Sequence, residues 1–139
     1  MMKRLLLTAL LLLAFVLPFS SFGQSRTVFT GVPNVKISEG GSERLVEAVP
    51  RSQAANLQCV ISEIGGKYYW ATRGNKELSR NVGGAFITYI AVDGSGYVRI
   101  IDPQRKSIPS SMSETEATFD YVEHALLGLR SVTYYGNAN

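Results

Sequence analysis

Residues 57–101 read LQCVISEIGGKYYWATRGNKELSRNVGGAFITYIAVDGSGYVRII, and the fold turns on this stretch. It predicts two consecutive β-hairpins, over 57–72 and 85–101. The first pairs LQCVISEI (57–64) with KYYWAT (67–72) across Gly65-Gly66. A Gly-Gly pair between two β-prone runs marks a tight hairpin, because both central residues of the turn need positive φ. The two-residue period puts Leu57, Cys59 and Ile61 on one face and Val60 and Ile64 on the other. Tyr68 and Trp70 likewise oppose Tyr69 and Ala71. Both faces carry apolar residues, as a central pair covered on both sides requires.

The second hairpin pairs AFITYIAV (85–92) with YVRII (97–101) across Asp93-Gly94-Ser95-Gly96, a run with the composition of a turn. Arg99, set between apolar neighbours, indicates a shallower face. The segment between the hairpins, RGNKELSRNVGG (73–84), is polar and reads as a loop.

Working outward, Gln24–Gly41 reads as an extended arm with a short strand over 34–38. A further strand is expected over 44–49, ended by Pro50, and one helical turn over 52–56. Downstream, Ser113-x-x-Glu116 has the form of a capping box. Phe119, Val122, Leu126 and Leu129 follow at helical spacing, with Gly128 as a terminator. SVTYY (131–135) is β-prone and returns to the sheet. The expected fold is therefore α+β: an antiparallel β-meander of about five strands, with one amphipathic C-terminal helix packed on one face.

The start of the chain has a different character. Lys3 and Arg4 precede an apolar run from Leu5 to Leu17, broken only by Thr8; Pro18 and Ser21-Phe22-Gly23 follow. The order is that of a cleavable secretory signal peptide over 1–23, and the run falls short of the ~20 residues a spanning helix needs. The expectation is export to the periplasm or the extracellular space, no membrane insertion after cleavage, and a single small domain over 24–139.

Of 14 basic and 11 acidic residues, Lys3 and Arg4 belong to the leader, which leaves the rest near neutrality. Nucleic-acid binding would call for a basic stripe or a clearly basic domain, so that class is disfavoured. With one cysteine, Cys59, no intrachain disulfide is possible. One Cys and one His, His124, do not make a structural zinc site, and no nucleotide-binding glycine fingerprint or nucleophile elbow is present. No metal or cofactor is expected.

Cys59 lies in phase with Leu57 and Ile61 and reads as an inert core thiol. The catalytic candidates are His124 and the adjacent Glu123, which would need a distant carboxylate or hydroxyl to complete a hydrolase-like site. Aromatics beside arginines suit a polar or anionic small molecule or a protein partner, which nominates Tyr69, Arg73, Tyr97 and Arg99 as ligand-binding residues. The sequence favours a small exported protein of bacterial type acting as a non-enzymatic binding module, with a small molecule or an envelope protein as partner. A hydrolase-like enzyme, and an inhibitor or structural subunit of the cell envelope, are the alternatives.

Overall fold

The computed structural model describes residues 23–102 and 119–139. In chain order the elements are β1 (Arg26–Gly40), β2 (Glu43–Ala48) and the single-turn helix α1 (Arg51–Ala54), which runs into a 3-10 turn over Ala55–Leu57. Then come β3 (Cys59–Ile64), β4 (Lys67–Trp70), a 3-10 turn over Ala71–Arg73, β5 (Lys76–Gly83), β6 (Phe86–Ala91), β7 (Gly96–Ile101), β8 (Tyr121–Leu127) and β9 (Arg130–Ala138).

Every neighbouring pair is antiparallel, and from β3 to β9 each strand lies beside the one before it. β1 closes the circle. Its first half pairs with β3, from Arg26 opposite Glu63 to Gly31 opposite Cys59. Its second half pairs with β9, from Gly31 opposite Ala138 to Gly40 opposite Arg130. The result is an eight-stranded closed barrel, with β2 outside the closure, paired with β1 alone among the described residues and exposed along its length.

Alternation of side chains fills the barrel. Phe29, Cys59, Ile61, Trp70, Leu78, Tyr89, Val98, Ile100 and Tyr121 point inward and form one buried cluster. Closing the sheet leaves one core, inside, so neither hairpin is covered on both faces as the sequence suggested. Both hairpins lie where the sequence puts them. Gly65 and Gly66 adopt φ of 57° and 81°, the geometry their turn demands. The strand expected over 44–49 is β2, the turn over 52–56 is α1 with its 3-10 extension, and SVTYY lies within β9.

The α+β expectation fails: the protein is nearly all β, and the described residues hold no amphipathic C-terminal helix. Ser113 and Glu116 lie outside the described residues, but Tyr121–Leu127, the heart of the expected helix, is β8. The misreading has a simple cause. Val122 and Leu126 are four apart, a spacing shared by a helix face and by one side of a strand. In β8 they take the outer side, while Tyr121, Glu123 and Ala125 are buried. Leu126 is half-exposed and Leu129 is 99% exposed, so no buried stripe exists. Gly128 turns the β8–β9 hairpin with φ 66°.

Two further segments are corrected. The 73–84 loop contains β5, a strand whose only buried residue is Leu78. The extended arm is the long strand β1. Pro33, whose missing N–H argues against a regular ladder, sits where the register with β9 shifts between Pro33 and Val35. Along the seam, the Tyr121 ring lies over Gly31 and Gly136. A Cβ on Gly31 would come within 2.5 Å of that ring, so the aromatic closes the barrel only because glycine faces it.

Candidate functional site

The barrel has two mouths, and an arginine stands at each. At the mouth where β4 ends, Arg73 reaches inward from its 3-10 turn and meets Glu123 of β8. Its Nε lies 2.9 Å from Glu123 Oε1 and its Nη2 3.1 Å from Oε2. Trp70 Nε1 donates to Oε1 at 3.0 Å. The Glu123 carboxylate is completely enclosed, so these three donors replace its water shell. Burial pushes its carboxyl up to about 7, against the opposing pull of Arg73 and of the Trp70 hydrogen bond. Arg73 also lies over the Tyr134 ring, 5.6 Å from its centroid. Cys59 is fully buried beside this cluster, and burial raises its thiol well above the ordinary value, with Glu123 adding to the effect.

The opposite mouth, where β3 ends and β4 begins, is left open by the described residues. The first inward-facing residues there form a cup of about 380 Å³, lined by Arg26, Val28, Tyr68, Arg80, Ile87 and Tyr89. Tyr68 and Tyr89 meet edge to face at 5.3 Å. The Arg80 guanidinium sits 5.9 Å from the centroid of the Tyr68 ring and lines the cup together with Tyr89. Burial raises the Tyr89 phenol, and Arg80 pulls it the other way. Arg26 is ion-paired with Glu63 at the rim. Among the described residues no carboxylate pairs with Arg80.

The residues nominated from sequence are distributed over three places. Arg73 and Glu123, nominated for different roles, are brought together inside the barrel. Tyr97, Arg99 and His124 are brought together on its outer surface. Tyr97 stacks on His124 at 5.4 Å, Arg99 lies over the Phe86 and Tyr97 rings at 5.4 and 5.7 Å, and His124 Nδ1 is 2.9 Å from Thr133 Oγ1. Tyr69 joins neither group; it lies on the outer side of β4, opposite Ser62 and Glu77. As consecutive residues of a strand, Glu123 and His124 point to opposite sides of the barrel wall and cannot act on one substrate.

One other polar cluster has a nucleophile in it. Lys76 Nζ donates to Ser95 Oγ at 2.6 Å and lies 3.2 Å from Asp93 Oδ2, while Ser95 donates to Asp93 Oδ1 through both Oγ and N. The Ser95 hydrogen bonds hold Asp93 down to about 2. Lys76 is engaged by Asp93 and the Ser95 proton points at the same carboxylate, so the group clasps the β6–β7 turn and offers no base to the hydroxyl.

The cup residues were not singled out from sequence. Arg80 belongs to the segment read as a loop, and only once β5 is a strand does its phase with inward Leu78 become visible. The signal available was the Leu78-x-Arg80 alternation itself. No protein-family model, curated protein or solved structure matches the chain.

Proposed function

We propose that this protein is an exported, non-enzymatic binding module that holds a small molecule in the open cup beside Arg80. The observation that carries the reading is the contrast inside one barrel. One end is filled by apolar side chains and a satisfied ion pair, and the other presents a cup of about 380 Å³ whose size falls in the range of small-ligand sites. Eight-stranded barrels of this size commonly have room for one small ligand. Export rests on the basic, apolar and small-residue order of residues 1–23.

The reading as a binder and not a catalyst draws on how the reactive groups are used. Cys59 is sealed in the core, Glu123 is held by three donors, and His124 is stacked against Tyr97 on the far side of the wall. A water-facing barrel is supported by β3 to β8, which are four to eight residues long, whereas a membrane strand needs ~9–11. Glu77, Ser79 and Asn81 on the outer side of β5 point the same way.

The test is equilibrium binding of a neutral aromatic probe, N-phenyl-1-naphthylamine, to the purified protein. Saturable uptake of one probe per chain is expected, and Ile87→Trp, which fills the cup, should abolish it. Uptake that ignores Ile87→Trp refutes the cup as the site. A second reading, as a structural subunit of the envelope, has one observation in its favour: among the described residues the outer edge of β2 has no partner strand, which makes it a template for pairing with another. Concentration-dependent association that Leu45→Pro abolishes would favour it.

A further inference from the structure

We propose that the ligand of the cup is an amphipathic monoanion, a flat apolar body bearing one carboxylate, sulfonate or phosphodiester charge, and that Arg80 selects for that charge; the inference rests on the cup being the binding site. The inward-facing arginines make the argument. Arg73 is neutralised by Glu123 and Arg26 by Glu63, while Arg80 has no carboxylate among the described residues. A guanidinium has five N–H donors in a planar fork, and here it lies over Tyr68 at the rim of the cup. An oxyanion is the group that this fork matches best.

The rest of the cup sets the other half of the specificity. Val28, Ile87 and the rings of Tyr68 and Tyr89 are apolar or aromatic surface, suited to a flat hydrocarbon body. Arg26 and Glu63 neutralise each other at the same rim. One guanidinium without a carboxylate matches one negative charge on the ligand, and a second charge would go unpaired.

The experiment compares two probes that differ in one group. 8-Anilinonaphthalene-1-sulfonate carries a sulfonate, and N-phenyl-1-naphthylamine is the same ring system without it. Titrated into the full protein, the sulfonate should bind roughly tenfold tighter or more, the margin of a charge-assisted hydrogen bond. Arg80→Gln should erase the margin, so that the variant takes up the two probes with similar affinity, and a cooperative urea melt of the variant shows that it stays folded. Equal affinities in the parent protein, or a sulfonate preference that survives Arg80→Gln, overturn the charge inference while the cup remains. If neither probe binds, or if Ile87→Trp affects neither, the cup reading itself falls, and this inference falls with it.

Discussion

Two arginines at the mouths of this barrel stand over tyrosine rings at nearly the same distance, and they do different things. Arg73 lies 5.6 Å above Tyr134 and Arg80 lies 5.9 Å from Tyr68. The first faces a buried carboxylate from across the barrel; the second faces an opening. An arginine on an aromatic face is thus not in itself a binding signature. What separates the two is whether the chain supplies the anion. Where it does, the pair locks β4 to β8 through the core, and where it does not, the same fork is left for something outside.

The sharpest way to break that comparison is to remove each arginine in turn. Arg73→Ala leaves Glu123 buried without its counter-ion, and loss of one partner of a buried pair costs about 3–5 kcal/mol. Urea melts should show that loss at pH 8 and a smaller one at pH 5, where Glu123 takes a proton instead of a partner. Equal melts for Arg73→Ala and the parent at pH 8 would mean the ion pair holds nothing together.

The Glu123 carboxyl gives the next largest effect. Its folded-state value is about 7 against an ordinary 4.5, so between those values the folded chain binds the extra proton. The stability this group contributes is fully present below about 4.5 and is lost as pH rises through 7. Stability measured from pH 4.5 to 8 should therefore slope downward, and Glu123→Gln should flatten the slope. A slope that persists in Glu123→Gln belongs to another group.

Cys59 sharpens the picture of a sealed end. Its thiol should resist alkylating reagents in the native protein and react at once in urea. Cys59→Ser, which puts a smaller hydroxyl in a fully buried site beside Glu123, should cost about 1–3 kcal/mol. Rapid native labelling would show that the Arg73 mouth is open. The smallest effects are expected at the surface: Arg80→Gln and Leu126→Ala should each change stability by less than about 0.5 kcal/mol. If Arg80→Gln unfolds the protein, Arg80 is structural after all and the two arginines are alike.

How much of this was legible in the sequence differs from strand to strand. The two hairpins were, because Gly65-Gly66 and Asp93-Gly94-Ser95-Gly96 announce turns between apolar runs. β5 was not, since a closed barrel asks only one face of a strand to be apolar, and here one buried leucine suffices. β8 misled outright: it puts a glutamate inside and leucines outside, the reverse of the usual alternation. Glu123 is tolerated there only because Arg73 and Trp70, about fifty positions earlier, converge on it, and no local pattern records such a meeting. Arg73 and Glu123 were both picked out from sequence as candidates, but the fact that they form one pair needs the closed barrel.

The seam between β1 and β9 has a kinetic meaning. It joins residues roughly a hundred positions apart, Gly40 with Arg130 and Gly31 with Ala138, and such long-range pairings are slow to form. The barrel has no closed form until the nine-residue strand β9 arrives, so a chain still being made stays an open ribbon with two bare edges. Trimming β9 would leave the protein in that condition permanently, prone to pair with another copy of itself. The C-terminal residues are therefore the clasp that ends the chain's sticky phase.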